Sequence, residues 1–334
     1  MAEINPYRQD LDKVVQQLNV PQEGNILITG ATGLIGSCLV DLLMRHSFCH
    51  IYAMGRNSQR AEQRFADYWQ QPRFHFIRHD ICQSLECTEN FHYIIHAASN
   101  ASPNFFQKSP VEVMKSNLNG LCQLVEYGLA HHMQRMLYVS SGEVYGEGDG
   151  SVFSEKSSGY IDILSPRACY PSSKRAAETL CASYCQEYGA QIVIARPCHT
   201  YGPYFTESDN RVYAQFIRNI LNDEDIVMKS QGEQFRSWLY VVDCAVAMLL
   251  LLTKGNSGEA YNVANEESNI TIRQLAEEIA KIGNKKVVFD LAENGNTTPI
   301  TKAVFSTEKL NQLGWKPLFS IEEGLAHTIQ SMRL

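Results

Sequence analysis

Apolar and polar positions alternate along the chain with two different spacings from residue 25 onward. Short apolar runs predict strands over residues 26–29, 50–54, 74–77, 93–96, 135–140 and 191–195. Apolar positions at helical spacing predict helices over residues 34–46, 58–69, 110–130 and 171–188. Strands that alternate with helices form right-handed crossovers and a parallel sheet covered on both faces. The pattern therefore predicts an α/β fold with a doubly wound parallel sheet.

The two ends of the chain depart from this regular alternation. Residues 4–19 place Leu11, Val14, Val15 and Leu18 at helical spacing, which predicts a helical extension within residues 1–24. After Arg196 short strands and helices are mixed, with helices predicted at 214–221, 243–252 and 272–282 and a strand at 286–289. We therefore predict a dinucleotide-binding domain over 25–195 and a smaller mixed α/β substrate-binding region over 196–334.

Composition excludes several classes of protein. The 334 residues include 29 Lys and Arg against 36 Asp and Glu, a net charge of −7, which argues against nucleic-acid binding and a polybasic membrane anchor. The longest apolar run, Cys244 to Leu252, is about half of the ~20 residues that span a bilayer. Residues 1–10 lack the pattern of a signal peptide, and the 10 cysteines include no Cys-x-x-Cys pair. We predict a cytoplasmic protein with reduced thiols and no bound metal.

A glycine-rich segment follows the first predicted strand and opens the next helix. It reads Gly30-Ala31-Thr32-Gly33-Leu34-Ile35-Gly36. Glycine permits a tight turn and a close approach to a pyrophosphate, and the helix N-terminus offers unpaired N–H groups to the anion. The segment predicts a Rossmann-type dinucleotide site made by Gly30, Thr32, Gly33, Leu34, Ile35 and Gly36.

A tyrosine and a lysine stand four residues apart in Tyr170-Pro171-Ser172-Ser173-Lys174. This spacing puts both side chains on one face of a helix, and Pro171 suits the first helical position. The pair lies between the last two strands predicted for the sheet. Such a pair is common on solvated helix faces, but in this placement after the glycine segment it is a candidate catalytic pair.

Together these segments resemble the extended short-chain dehydrogenase/reductase superfamily, and within it the NAD(P)-dependent nucleotide-sugar epimerase/dehydratase family. The resemblance implies that Tyr170 exchanges a proton with a sugar oxygen while hydride moves to or from the nicotinamide. Lys174 would lower the pKa of Tyr170 and hold the nicotinamide ribose. Ser141, found by counting back from Val144-Tyr145-Gly146, would donate to the reacting oxygen.

Further cofactor and substrate residues follow from the same resemblance. Asp80 with Ile81 resembles the adenine contact, and Ala97, Ala98 and Ser99 resemble the turn that lines the cofactor. The substrate implied is a nucleotide diphosphate sugar, and the residues implied for its binding are Ser99, Ser141, His199, Arg211 and Arg236. His199 stands where the family usually has Asn, which leaves the contact made there open. The resemblance also implies a homodimer formed through helices 110–130 and 171–188.

Two positions bear on the dinucleotide and the reaction. NAD-specific members place an acid at the end of the second strand, whereas this chain has Gly55-Arg56-Asn57. Arg56 predicts NADP(H), because a guanidinium pairs with a 2′-phosphate; NAD(H), with Arg56 on the adenine or in solvent, is the alternative. Dehydratases carry an adjacent Asp-Glu pair where this chain has Gly142-Glu143, and UDP-glucuronate decarboxylases have the lone Glu. Glu143 is thus a fourth candidate catalytic residue, beside Ser141, Tyr170 and Lys174.

These residues favour an NADPH-dependent reduction of a nucleotide-linked 4-dehydro-6-deoxyhexose, such as dTDP-4-dehydro-6-deoxyglucose, in the supply of surface polysaccharide precursors. The alternative is a redox-neutral, NAD-dependent UDP-glucuronate decarboxylase or nucleotide-sugar epimerase. The segments His96–Pro103 and Pro166–Tyr170 resemble the decarboxylases. A third hypothesis is a non-catalytic NADP-sensing regulator, although such proteins commonly lose the Tyr and Lys that this chain keeps.

Overall fold

The central element of the protein is a parallel sheet, seen in a computed structural model that describes residues 5–291 and 301–334. The strands of the described chain are β1 (Asn25–Thr29), β2 (His50–Gly55), β3 (Phe74–Arg78), β4 (Tyr93–His96), β5 (Arg135–Val139), β6 (Ile192–Pro197), β7 (His199–Tyr201), β8 (Ile226–Met228), β9 (Phe235–Tyr240), β10 (Ala260–Val263), β11 (Asn265–Thr271), β12 (Val287–Phe289) and β13 (Lys302–Ala303). The central sheet has seven strands in the order β10-β6-β5-β4-β1-β2-β3, and every neighbouring pair is parallel. The chain turns back on this order beside β1, and the carboxyl ends of strands at such a point are where α/β proteins bind ligands. The prediction of a doubly wound α/β fold is confirmed.

Helices cover both faces of this sheet. The helices of the described chain are α1 (Pro6–Lys13), α2 (Leu34–His46), α3 (Ser58–Arg64), α4 (Pro103–Lys108), α5 (Pro110–Ala130), α6 (Cys169–Tyr188), α7 (Val212–Leu221), α8 (Val241–Lys254), α9 (Ile272–Gly283), α10 (Glu308–Asn311) and α11 (Ile321–Arg333). In β1, Ile26 and Ile28 pack into the core that α2 and α8 share, while Leu27 packs into the core of α5 and α6. Successive side chains of a strand point to opposite faces, so a strand buried on both faces is apolar throughout.

The second half of the chain contributes strands both to smaller sheets and to the central sheet. β9 is the centre of a smaller mixed sheet with β7, β11 and β13, and β8 pairs with β12. β10, however, joins the outer edge of the central sheet beside β6, although it follows the predicted boundary at residue 195. The division into 25–195 and 196–334 stays a prediction. No helix in the described ranges is long and apolar enough to cross a membrane.

Two predicted helices are shorter in the structure. The first is α-helical only over Pro6–Lys13 and continues as a 3-10 turn, and Val15 faces solvent rather than the core; residue 4 lies outside the described residues. The helix predicted over 58–69 ends at Arg64, and the Trp69 ring packs on Phe74 of β3 instead. The pattern identified Leu11 and Val14 as buried, but it was wrong for Val15 and placed both helix ends too far along the chain.

Candidate active site

A cleft of about 980 Å³ opens at the carboxyl ends of β1, β2 and β4. Most of the predicted cofactor residues line it, namely Gly30, Thr32, Gly33, Leu34, Ile35, Gly36, Arg56, Asp80, Ile81, Ala97, Ala98 and Ser99. Arg211, predicted from the substrate side, lines the same cleft. The fold thus brings segments that are up to about 180 residues apart in the chain together around one cleft.

Two positions of the glycine segment have no room for a Cβ atom. Gly30 has a φ of +65°, and a Cβ there would lie 2.7 Å from the Ala98 Cα. A Cβ on Gly36 would lie 2.3 Å from the Gly30 carbonyl oxygen. Within the described structure no side chain caps α2, which begins at Leu34, so its first N–H groups stay available to an anion. A backbone cradle of this kind fits the pyrophosphate of a dinucleotide.

Two arginines stand where the cleft meets the end of β2. The Arg56 Nη1 lies 3.3 Å from the Glu112 Oε1, and both side chains are about half exposed. One helical turn further, Arg60 donates from Nη2 to the Thr32 carbonyl at 3.1 Å, and burial lowers its pKa. Arg60 was missed by sequence reasoning, although its four-residue spacing from Arg56 was a usable signal.

Asp80 lines the cleft and also closes a turn. Its Oδ1 accepts the backbone N–H of Cys82 at 3.0 Å. Ile81 next to it packs so closely on α5 that a Cβ on Gly120 would lie 2.8 Å from its side chain. Asp80 therefore both closes a turn and lines the cleft.

Tyr170 and Lys174 share one buried face of α6, as the spacing predicts. The Tyr170 ring stacks on Phe106 with centroids 4.8 Å apart. The Lys174 Nζ donates to the Val139 carbonyl at 2.8 Å and lies 5.8 Å from the Tyr170 ring centroid. Burial lowers the pKa of Lys174 to about 7, against the opposing charge of Glu178.

Several predicted residues converge on the Tyr170 phenol. Burial, and then the negative charge of Glu143, raise the pKa of Tyr170 to about 12. The Ser141 hydroxyl, the charge of Arg211 and the Ser99 hydroxyl act in the opposite direction. Two serine hydroxyls and two charges of opposite sign therefore act on one phenol.

Glu143 is held near Tyr170 by an ion pair with partly exposed side chains. The Arg167 Nη2 donates to both Glu143 carboxylate oxygens, at 3.0 and 2.8 Å. A Cβ on Gly142 would lie 2.5 Å from the buried Phe305 ring. The site thus has no room for the second acid of the dehydratase pair. Arg167 is a residue that sequence reasoning did not single out.

Two of the predicted substrate residues, Arg211 and Arg236, lie near His199, which is a third such residue. Its ring packs against Trp238 with centroids 5.3 Å apart, in a recess that remains open to solvent. The surrounding protein, and then the charges of Arg236 and Arg211, lower the pKa of His199. The imidazole is therefore neutral at physiological pH, like the asparagine that the family usually has.

The two arginines of this side differ in how they are held. Arg211 donates to both carboxylate oxygens of Asp209, at 3.0 and 2.6 Å, and to the Tyr213 hydroxyl. Arg236 is buried on β9, where desolvation lowers its pKa and the charge of Glu143 raises it. The charge of Glu143 therefore raises the pKa of Arg236, a predicted substrate residue, and the pKa of Tyr170, a predicted catalytic residue.

A buried ion pair lies behind Lys174. Glu178, one turn further along α6, accepts from Arg196 Nε at 3.0 Å and from Nη2 at 2.6 Å. Arg196 also donates to the Tyr145 hydroxyl at 2.9 Å, which in turn donates to Asn262 of β10. This network connects α6 to β6 and to the edge strand β10 of the central sheet. In the described ranges no cluster of His, Cys, Asp and Glu could hold a metal ion.

Comparisons with known proteins identify the family of this chain. Residues 26–264 match the model of the NAD dependent epimerase/dehydratase family. UDP-glucuronic acid decarboxylase 3 of Arabidopsis thaliana is 33% identical over 92% of this chain and 89% of its own. UDP-glucuronic acid decarboxylase 1 of Xenopus tropicalis is 32% identical over 96% of this chain and 74% of its own. Among solved structures, UDP-glucose 4-epimerase of Thermotoga maritima with UDP-glucose superposes with a TM-score of 0.81 at 26% identity, covering 92% of this chain and 98% of its own.

Proposed function

Because the chain belongs to the NAD dependent epimerase/dehydratase family, we propose that it is an enzyme that acts at C4 of the sugar in a nucleotide diphosphate sugar. The observation that carries this proposal is the buried Tyr170, which faces Ser141 on one side and shares its helix face with Lys174. Tyr170 exchanges a proton with the C4 oxygen, and the Ser141 hydroxyl donates to that oxygen. Lys174, in its protonated form, places a positive charge beside the phenol.

The glycine segment, Asp80 with Ile81, and residues 97–99 hold the dinucleotide in this proposal. The dinucleotide, when bound, supplies the acceptor or donor of the C4 hydride. On the substrate side Arg211 and Arg236 bind the diphosphate, because planar guanidinium groups pair with phosphate oxygens. His199, with its neutral imidazole, contacts the sugar or diphosphate without adding charge. The substrate-binding region is residues 196–334.

For the reaction, we favour the redox-neutral decarboxylation of UDP-glucuronic acid. Oxidation at C4 would place the C6 carboxylate β to a ketone, so that the C5–C6 bond would break with release of carbon dioxide. The resulting enolate would take up a proton at C5, and C4 would then be reduced again. The support is the similarity to UDP-glucuronic acid decarboxylases over most of the chain and the lone Glu143 beside Tyr170. In this case NAD is the dinucleotide, because the hydride returns and no net reductant is consumed.

A second candidate is the NADPH-dependent reduction of a 4-dehydro-6-deoxyhexose carried on a nucleotide. The observation that favours it is the end of β2, where Gly55 replaces the expected acid and both Arg56 and Arg60 line the cleft. Two guanidinium groups would suit a 2′-phosphate. Tyr170 would then act as an acid only, for which a raised pKa is no obstacle.

One experiment separates the two reactions. Purified protein is incubated with UDP-glucuronic acid and NAD, and separately with dTDP-4-dehydro-6-deoxyglucose and NADPH. Carbon dioxide and a UDP-pentose in the first assay support the decarboxylase, whereas consumption of NADPH in the second supports the reductase. Tyr170→Phe serves as the inactive control in both. Activity in neither assay would contradict both candidates.

Cofactor preference is measured independently of turnover. Calorimetric titration of the stripped protein with NADPH and NADH should show which binds at least tenfold tighter, about 1.4 kcal/mol. If NADPH binds tighter, Arg56→Ala should remove the difference. If NAD copurifies and NADPH gives no response, Arg56 has no part in selectivity.

The cellular setting is also part of the proposal. We place the enzyme in the cytoplasm, in the supply of sugar nucleotides for surface polysaccharide, as a homodimer formed through α5 and α6. The two helices pack side by side, and Val111 and Met114 of α5 are exposed. Light scattering of the purified protein tests the dimer directly.

A further inference from the structure

We propose that Arg167 is a positioning residue of this site: its guanidinium orients the Glu143 carboxylate and compensates its negative charge beside Tyr170. The inference rests on the proton-exchange role proposed above for Tyr170. It adds a residue to the site that no sequence motif assigned, and it applies to the decarboxylase and the reductase alike.

The two partners belong to different elements that must stay in register. Glu143 lies on the 3-10 turn Gly142–Tyr145, directly after Ser141. Arg167 lies on the 3-10 turn Pro166–Ala168, which leads into α6 one residue before Tyr170. The ion pair, with N···O distances of 3.0 and 2.8 Å, therefore joins the turn that carries Ser141 to the helix that carries Tyr170.

Arg167 is itself fixed by an aromatic contact. Its guanidinium carbon lies 4.6 Å from the centroid of the Phe106 ring. Phe106 is buried, and its ring stacks on Tyr170 at an interplanar angle of 22°. A guanidinium held over an aromatic face loses little further freedom when it binds a carboxylate. Arg167, Phe106 and Tyr170 thus form one connected set of contacts.

The charges around the phenol show what the pair does. The charge of Glu143 raises the pKa of Tyr170, and the charge of Arg211 lowers it. Burial raises the pKa of Cys169, which precedes Tyr170 in the chain. The charge of Arg167 lowers this pKa, and the charge of Glu143 raises it. The remaining charged groups near Tyr170 and Glu143 are Lys174 on α6 and Arg236 on β9. Loss of Arg167 would leave Glu143 less compensated next to the phenol.

The pair is a poor device for stability alone. The side chain of Arg167 is 49% exposed and that of Glu143 is 36% exposed. Exposed ion pairs contribute about 0–1 kcal/mol to folding. Because a pair of this exposure contributes little to the stability of the fold, its role is better explained by the positioning of the Glu143 carboxylate.

The test is a titration of Tyr170 that needs no substrate. Ionisation of Tyr170 is followed by near-ultraviolet phenolate absorbance, as the difference between each protein and its Tyr170→Phe counterpart. Arg167→Gln should raise the pKa of Tyr170 by about half a unit, and Glu143→Gln should lower it. The double variant should return toward the wild-type value, and Arg167→Lys should restore most of it because the charge is kept.

A matched ion pair supplies the control. Arg273 and Glu277 on α9 are 2.9 Å apart, and their side chains are 52% and 48% exposed. Arg273→Gln should leave the Tyr170 titration unchanged. On whichever nucleotide sugar the wild type converts, Arg167→Gln should reduce kcat by about 10-fold to 100-fold with little change in KM.

The outcomes separate the inference from the proposed function. An unchanged Tyr170 pKa in Arg167→Gln, or a shift equal to that in Arg273→Gln, would overturn the positioning role whatever the reaction is. A shift in the expected direction supports it even if both assays of the proposed function are negative, because the titration depends on the site alone.

Discussion

Replacing Tyr170 with phenylalanine removes one buried hydroxyl group and leaves the rest of the site in place. The ring keeps its stack on Phe106, 4.8 Å between centroids, and α6 keeps the face that carries Lys174. Whatever changes in the variant can therefore be attributed to the hydroxyl group itself.

The expected magnitudes for activity and for folding are very different. A positioned acid or base contributes about 100-fold to 10,000-fold in rate, which is about 3–5 kcal/mol of transition-state stabilisation. Loss of a single buried hydroxyl costs about 1 kcal/mol of folding free energy. We therefore expect turnover to fall at least 100-fold while the urea midpoint moves little.

The assay compares this variant with Tyr138→Phe. Tyr138 is also buried, on β5, with its ring 4.7 Å from the Lys174 Nζ, but its hydroxyl has no hydrogen-bond partner within the described residues. Tyr138→Phe should keep full activity and equal or greater stability. If Tyr170→Phe keeps more than about a tenth of the activity, or loses activity only as it unfolds, Tyr170 does not carry the proton.

Three further predictions concern the cofactor cradle, the buried ion pair and pH. Gly36→Ala puts a Cβ 2.3 Å from a backbone oxygen, so calorimetry should show at least tenfold weaker dinucleotide binding, whereas Gly189→Ala, which has open space and only a left-handed φ, should not. Arg196→Met leaves the Glu178 charge buried without its partner and should cost about 3–5 kcal/mol in urea denaturation; a cost under about 1 kcal/mol would contradict this. Burial lowers the pKa of Lys174 from 10.5 to about 7, so unfolding takes up a proton between those values. The free energy of unfolding should then rise with pH from about 7 to about 10, and Lys174→Met should flatten that rise.

The parts of the site that could be predicted from sequence are contiguous in the chain. The glycine segment and the Tyr170–Lys174 pair each lie within one turn or helix, and the local spacing already determines their geometry. Six of the seven strands of the central sheet, all but β10, were predicted for the same reason, since burial on both faces makes them apolar throughout. A strand-to-helix turn and an i,i+4 pair keep their form in any surroundings that let them fold.

The parts that could not be predicted depend on distant partners. Arg167 is 24 residues from Glu143 and alone resembles an ordinary surface charge, so the ion pair between them could not be predicted. Glu178 is likewise unremarkable on a helix until Arg196 from the next strand meets it. Asp243, on the apolar helix α8, accepts the backbone N–H groups of Leu318 and Phe319, a contact that no local pattern indicates.

The position of β10 has a consequence for how the protein is synthesised. β6 ends at Pro197, but the strand that covers its outer edge begins only at Ala260. A nascent chain that has emerged only as far as β6 exposes a row of unpaired backbone groups, and Tyr145 still lacks its Asn262 partner. The catalytic helix is therefore completed late in translation, and a chain shortened to residues 25–195 should aggregate through that open edge rather than fold as a small cofactor-binding unit.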